Sequence, residues 1–330
     1  MEVTAGDNDT GRRLDRILRR LWRSAPLSHI HRELRRGTVQ VNGTPRQASY
    51  RVQAGDRISL PTEEMVDSRS KRRAARPAEL DSIFENEHIA AYGKPRGVPS
   101  IGEGSLAEAV VPRLTAAATE SLSFVPGPLH RLDRNTTGLL LFSKSLKGAQ
   151  RFTELQEAGR IAKIYLGIVA GALYTGGYWD LPLSRDKARR VTRVADEGRK
   201  SRTAYWPLAV DEAPEAASLL LFTISSGFTH QIRAHAAAAG HPLVGDRKYG
   251  SAGGSPPVAG DSGGRAGSYL LHAGAILLDA PDAILGFEIL WTPPPERFLI
   301  ALESRFSPEI RSAMSEFNRF QTAIRTTLEP

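Results

Sequence analysis

The sequence predicts an α+β fold arranged in two domains, and three observations carry that expectation. A chain of 330 residues with 41% hydrophobic content has room for one large packed domain and one small one. Strand-like segments beyond residue 83 do not alternate regularly with helical ones, which disfavours a doubly wound parallel sheet. Charge divides along the chain: residues 1–76 hold 17 Lys/Arg against 9 Asp/Glu, whereas residues 77–330 hold 27 of each. The whole net charge of +8 therefore lies in the first quarter. The expected division is a basic module over 1–62, a flexible linker over 63–80 and a larger domain over 81–330.

Within the module, Leu14, Ile17, Leu18 and Leu21 recur at helical spacing among Arg12, Arg13, Arg16, Arg19, Arg20 and Arg23. Ser28 is placed to cap a second helix carrying His31, Arg32, Arg35 and Arg36, which Gly37 would end. Val39-Gln40-Val41 followed by Asn42-Gly43 reads as a strand entering a hairpin turn. Ala54-Gly55-Asp56 is a further turn, and Arg57 to Leu60 a closing strand. Concentrated arginines favour a polyanion, because planar guanidinium groups meet phosphate with several donors at once. Residues 61–80 lack apolar periodicity and turn basic in their second half, as a linker does.

In the larger domain, strands are expected at Ile89–Tyr92, Leu139–Phe142, Lys163–Val169, Leu219–Ile224, Tyr269–Leu278 and Phe287–Trp291. Helices are expected at Leu146–Ala158 and His230–Ala239, each followed by a stop glycine, Gly159 and Gly240. The stretch Pro308–Ile324, within a C-terminal segment 306–330, reads as a helix packed on the sheet's edge. Gly250–Ser268, rich in Gly, Pro and Ser, reads as a mobile loop.

Several function classes are disfavoured. With no cysteine there is neither a disulfide nor a thiolate metal site. No apolar run reaches the roughly 18 residues a membrane helix needs, and the first residues lack a secretory pattern, so the cytoplasm is the expected compartment. The eight histidines include no His-x-x-x-His pair, and no Walker loop occurs, so no metal is expected. Gly260-Asp261-Ser262-Gly263-Gly264 imitates the nucleophile region of a trypsin-like protease, but it sits in a Gly/Pro-rich loop without a separately placed histidine and acid.

The chemistry concentrates in three segments. In His130-Arg131-Leu132-Asp133-Arg134-Asn135-Thr136-Thr137-Gly138, a carboxylate stands between two arginines just before an apolar strand. Such charges at a core edge cost free energy unless paired or used. Ser226-Gly227-Phe228-Thr229-His230-Gln231-Ile232-Arg233 places Thr229, His230 and Arg233 at the start of a helix. In Lys163-Ile164-Tyr165, strand alternation puts Tyr165 on the face opposite Ile164, Leu166 and Ile168.

These segments, in this order, resemble the RluA family of pseudouridine synthases. Its pattern is close to His-Arg-Leu-Asp-x-x-Thr-Ser-Gly-Leu-Leu-Leu, then Lys-x-Tyr, then Gly-Arg-Thr-His-Gln-Ile-Arg. Asn86 to Gly97, with Lys94-Pro95, and Gly240 to Gly250, with Asp246 and Tyr249, resemble two further family stretches, so the likeness spans roughly 83–292. The module, from Gly11-Arg-Arg-Leu-Asp15 to Asp56, resembles the S-four-like (alpha-L) RNA-binding domain of ribosomal proteins.

The resemblance implies a mixed, mainly antiparallel sheet with flanking helices and a central cleft. It implies isomerisation of uridine to pseudouridine without metal or organic cofactor; the basic module favours large-subunit ribosomal RNA over the alternative, tRNA, and a monomer is the default expectation. Asp133 is then the essential carboxylate, as nucleophile on sugar or base or as a base at the ribose. Arg233 would pair with it and keep it ionised, and Tyr165 would stack on the target base and assist proton transfer. RNA contacts fall to Arg12, Arg16, Arg32, Arg35 and Arg36 in the module, and to Arg131, Arg134, Arg189, Arg190 and His230 in the larger domain. A non-catalytic RNA-binding or ribosome-assembly protein is the rival from another class. Two departures from the pattern are Thr137 for serine and Phe228 for arginine, the latter removing one charge.

Overall fold

The structure, a computed structural model, describes residues 1–22, 25–61, 81–117, 121–186, 188–189, 191–225, 227–250 and 269–315. The expected linker, the protease-like Gly260–Gly264 and all of the Gly250–Ser268 loop after its first residue lie outside the described residues.

The module contains β1 (Glu2–Thr4), α1 (Leu14–Leu21), α2 (Leu27–Arg36), β2 (Gln40–Val41), β3 (Thr44–Pro45) and β4 (Arg57–Ser59). Leu14, Ile17 and Leu18 of α1 meet Ile30 and Leu34 of α2 and the sheet residues Val41 and Ile58 in one buried cluster. The sheet order is β1-β4-β2-β3, with Asn42 and Gly43 both at positive φ in the β2–β3 turn. Strand β1, which forms the sheet edge, carried no sequence signal of its own: three residues are too few to show alternation. The expected Ser28 cap is corrected. Helix α2 begins at Leu27, with Pro26 as an extended N-cap residue whose side chain makes no capping bond, and Ser28 lies inside the first turn. Gly37 ends α2 in the left-handed region, at φ 71°.

The larger domain runs β5 (Phe84–Glu85), β6 (Ile89–Lys94), α3 (Leu106–Ala117), β7 (Gly127–Pro128), β8 (Thr137–Ser143), α4 (Leu146–Glu157) and β9 (Ile161–Ala170). It continues with β10 (Gly177–Asp180), β11 (Leu183–Asp186), β12 (Val191–Val194), β13 (Arg202–Asp211), β14 (Ala217–Ile224) and α5 (Gln231–Ala238). It closes with β15 (Leu271–Leu278), β16 (Ile289–Trp291), α6 (Glu296–Arg305) and α7 (Pro308–Ser315). The main sheet has the order β10-β13-β14-β9-β15-β8-β6-β5. All its pairings are antiparallel except β15–β8, so the sheet is mixed and mainly antiparallel.

Alternation along β9 and β14 sorts the core into two layers. Ile164, Leu166, Ile168, Leu219 and Leu221 pack under Phe298, Leu299 and Leu302 of α6 and Met314 of α7. On the opposite face Tyr165, Val169, Leu220 and Phe222 pack with Leu132 and with Ile232 and Ala236 of α5. The described part of the C-terminal helix, Pro308–Ser315, therefore covers the face of the central strands rather than the sheet's edge, and residues 316–324 of the expected helix lie outside the described residues. Its apolar residues find more area to bury there than a strand edge offers. Helix α6 went unrecognised in the sequence, since Pro293 to Pro295 resembles the close of a domain.

Where β8 and β15 run parallel, Gly138 sits at φ +113°, and a Cβ there would stand 2.1 Å from the carbonyl oxygen of Ala273. Gly138→Ala should therefore destabilise the fold by about 3 kcal/mol or more, through backbone strain added to overpacking. Chemical denaturation checks this, and an unchanged midpoint would show that the strands separate freely.

The module is not detached from the larger domain, contrary to the expectation of a flexibly tethered unit. Asp9, fully buried, accepts hydrogen bonds from Ser121 Oγ (2.8 Å), Leu122 N (2.9 Å), Ser123 N (3.0 Å) and Ser123 Oγ (2.7 Å). Asn8 Oδ1 accepts the first N–H of α4, from Leu146, at 2.9 Å. Arg12, a candidate RNA contact, is half-buried, and its Nη1 donates to Ser123 Oγ at 3.0 Å across the junction.

Candidate active site

The site is assembled from four distant stretches. Asp133 lies in the loop before β8, Tyr165 in β9, Arg233 in the first turn of α5, and Asp246 in the turn after it. Register explains the first meeting: Tyr165 is paired on one side with Phe222 of β14 and on the other with Ala273 of β15. Ala273 in turn pairs with Gly138 of β8, so the loop carrying Asp133 emerges two strands from Tyr165. Ser100 anchors that loop, its Oγ donating to Leu132 O at 2.8 Å and accepting from Leu132 N at 2.9 Å. Lys94, 1% exposed, donates its ammonium to the carbonyls of Pro95, Val98 and Arg134.

Asp133 and Arg233, 100 positions apart in the chain, are brought together: Arg233 Nη1 donates to Asp133 Oδ2 at 3.2 Å. Arg233 has a second partner that no role was assigned to in the sequence. Its Nε and Nη2 donate in bidentate fashion to Asp246, at 2.7 and 2.9 Å. The guanidinium lies between the rings of Tyr249 (4.8 Å) and Tyr269 (4.4 Å). Burial works most strongly against its charge, yet the bonds to Asp246, with the fields of Tyr269, Asp246 and Asp133, together hold Arg233 above its ordinary pKa.

Arg233 was expected to pair with Asp133 and keep it ionised, and its charge does favour the carboxylate, against burial. Burial pushes the Asp133 carboxyl above its ordinary value; Arg233 and then Arg131 oppose the shift, and the Asp246 charge adds to it. Because Arg233 is shared, with its better geometry directed at Asp246, its field at Asp133 is partly cancelled. If the reacting form is the carboxylate, product formation should fail on acidification at a higher pH than an ordinary aspartate would require. Asp246→Asn removes the like charge and should move that acid limb to lower pH. Single-turnover rates across pH for both chains check it, and a limb that stays put would mean Asp133 does not sense Asp246.

His230, in the left-handed region at φ 59°, forms the N-cap of α5. The Tyr249 hydroxyl accepts from Thr192 N and shares a hydrogen bond with His230 Nδ1 at 2.8 Å. His230 Nε2 stands 3.7 Å from Asp133 Oδ1. Burial and then Arg233 lower its pKa to about 3, so it stays neutral. His130 is also neutral, near pKa 3 through burial and then Lys163, and its Nε2 accepts from Leu141 N. His235 is fully buried between Thr203 Oγ1 and Leu181 O, a structural role.

Tyr165 is 6% exposed, and burial followed by the Asp133 charge raises its pKa. The phenol is therefore neutral and poorly placed to serve as a phenolate base. Asp133, Tyr165, Thr136, Phe228, His230 and exposed Arg131 line one small cleft of about 50 Å³. A larger cavity of about 320 Å³ lies between Lys94, Thr137, His272 and Phe298, but no carboxylate lines it. Asp133, Tyr165 and Arg233 all line the smaller one.

The remaining candidates are spread over the surface. Arg16, Arg32, Arg35 and Arg36 are exposed on the module, with Arg32 and Arg36 flanking Glu33. Arg134 is exposed but turned away from the cleft, its Nε donating to Gly97 O at 2.8 Å. Arg189 is exposed in the turn joining β11 and β12, and Arg190 lies outside the described residues. Asp246, Tyr249 and Tyr269 were missed as site residues. The signal for the first two was their place in a recognised stretch, yet nothing local says that an aspartate 13 positions after Arg233 folds back to grip it.

Comparison with known proteins follows the same division. The family described as RNA pseudouridylate synthase matches residues 88–238, and the S4 domain family matches residues 12–58. The ribosomal large subunit pseudouridine synthase D of Nitrosomonas europaea is 32% identical over 298 residues, covering 89% of this chain and 84% of that one. The ribosomal large subunit pseudouridine synthase C of Escherichia coli (strain K12) is 33% identical over 256 residues, covering 74% and 77%. Among solved structures, human RNA pseudouridylate synthase domain containing 1 superposes with a TM-score of 0.56 at 22% identity, over 78% of this chain and 98% of that chain.

Proposed function

This chain belongs to the RNA pseudouridine synthase family of isomerases, and from that premise we propose that it converts specific uridines of large-subunit ribosomal RNA to pseudouridine, with Asp133, Tyr165 and Arg233 at the reacting nucleotide. The observation that carries the site assignment is the half-buried Asp133–Arg233 contact in a cleft also lined by Tyr165. In the reaction the bond from ribose carbon 1 to uracil nitrogen 1 breaks, the base turns, and the same ribose carbon bonds to uracil carbon 5. The proton on carbon 5 is released and nitrogen 1 gains one, so atoms balance with no oxidation and no cofactor is called for. Asp133 attacks sugar or base, or removes a ribose proton. Arg233 orients it, and the neutral Tyr165 ring packs against the uracil. The target must leave its stack first, which costs a few kcal/mol and least in loops.

Two features support a large structured RNA: the basic module, and the large-subunit substrates in the relatives' names. Exposed Arg16, Arg32, Arg35, Arg36, Arg131 and Arg189 would meet its phosphates. Among the described residues no helix is long and apolar enough to cross a membrane. We place the enzyme with its RNA in the cytoplasm, acting as a monomer. Mapping pseudouridines in total RNA with and without the gene tests the reading. One or more large-subunit positions should revert to uridine; a lost tRNA position instead would redirect the substrate, and no lost position would overturn the activity.

A further inference from the structure

We propose that Asp9 is a positioning residue: it clamps the N-terminal module to the larger domain, so that both read one RNA at a fixed offset and the preferred substrate is an RNA long enough to span them. The inference deepens the reading above and rests on it for the identity of the RNA.

Three observations carry it. First, Asp9 is fully buried, and four of the hydrogen bonds it accepts come from Ser121, Leu122 and Ser123 across the junction; the fifth, from Gly6 N at 3.1 Å, fixes the carboxylate in its own turn. A carboxylate taken out of water must be satisfied, and these donors satisfy it only while the module is docked. Second, the junction has independent contacts of different kinds. Asn8 caps α4 alongside Ser145, whose Oγ accepts from Gly148 N at 3.0 Å, and Leu122 packs onto the module's apolar cluster. Third, residues 121–123 lead through β7 to the loop bearing Asp133, so the segment that grips the module is continuous with the one that carries the reacting carboxylate.

Exposed Arg16, Arg35 and Arg36 are thus held at a set distance and angle from the cleft. A docked pair of RNA contacts acts at a far higher effective concentration than a pair joined only by chain. An RNA matching the offset gains from both contacts at once, whereas a short stem-loop gains from one.

Three variants of the full chain test this. Asp9→Ala removes the acceptor. Ser123→Asp sets a second carboxylate against Asp9, where a hydroxyl now donates, and leaves every residue of the module intact. Each is compared with the native chain on a long large-subunit RNA fragment and on a short stem-loop holding the same uridine, with affinity, KM and kcat measured separately. Small-angle scattering reports whether the module is released. The expected result is a larger radius of gyration, a KM for the long fragment raised about 10- to 100-fold, and an unchanged kcat and unchanged stem-loop turnover. A Ser121→Ala, Ser123→Ala double variant, losing two donors without gaining charge, should fall between. The proposal is overturned if the module stays docked in the variants, if it is released with no change in KM, or if kcat falls equally on both RNAs. If the native chain binds the long fragment but forms no pseudouridine, the assigned function fails. The ratio of affinities between chains then still decides the clamp.

Discussion

Asp133→Asn should abolish pseudouridine formation, by about 10⁴-fold or more, the order expected when a group essential to the chemical step is removed. RNA affinity should be retained, since the substitution keeps the side chain's shape and Arg131 stays at the cleft rim. A second readout has the opposite sign. Burial raises the Asp133 pKa in the folded chain above its unfolded value, so ionising this group opposes folding. At a pH below both values the group is protonated in either state and contributes nothing. As pH rises through the unfolded and then the folded pKa, the native state loses stability. At neutral pH the asparagine variant should therefore melt no lower than the native chain, and slightly higher. Mass spectrometry of digested RNA and thermal melts near neutral and acidic pH provide the measurements. Residual product at the native rate would remove Asp133 from the mechanism, and a marked fall in melting temperature would contradict the burial argument.

Arg233→Met carries the largest expected loss of stability. It leaves Asp246, whose side chain is fully buried, without its bidentate partner, and leaves Asp133 without its hydrogen bond. Removing one partner of a buried pair costs about 3–5 kcal/mol, because the remaining charge has no compensation. Activity should vanish with it. The deficit should shrink on acidification, since protonating Asp133, left without the opposing charge of Arg233, relieves its unpaired charge. Arg233→Lys should rescue little: a single ammonium cannot reproduce a fork that serves two carboxylates and stacks between Tyr249 and Tyr269. Urea titrations at two pH values would decide, and a loss independent of pH would point to packing rather than charge.

The elements that the sequence announced are those whose residues speak locally. Apolar spacing in Leu14–Leu21 and the glycines at 37, 159 and 240 report the torsional preference of their own neighbourhoods, and the structure follows them. The elements it hid are short or interrupted: β1, β11 and β12 are too brief to show a period, and α6 follows a run of prolines. Candidate site residues divide the same way. Asp133, Tyr165 and Arg233 stood out through ordered motifs. Asp246 lay in such a motif but needed a fold to become the partner of Arg233, and Arg12 looked like its basic neighbours until Ser123 was seen beside it.

By itself the sequence determined the family, the two-domain layout of its charge, and the side chains that meet in the cleft. Motif and composition are properties of the chain, and they survive without coordinates. The tertiary structure alone decided that Arg233 is shared between two carboxylates, that burial outweighs Arg233 in raising the Asp133 pKa, and that Asp9 joins the module to the larger domain. Each of these depends on desolvation and on angstrom-scale distances between residues about 100 positions apart or more, or on which of two nearby partners is closer. No local pattern encodes such quantities.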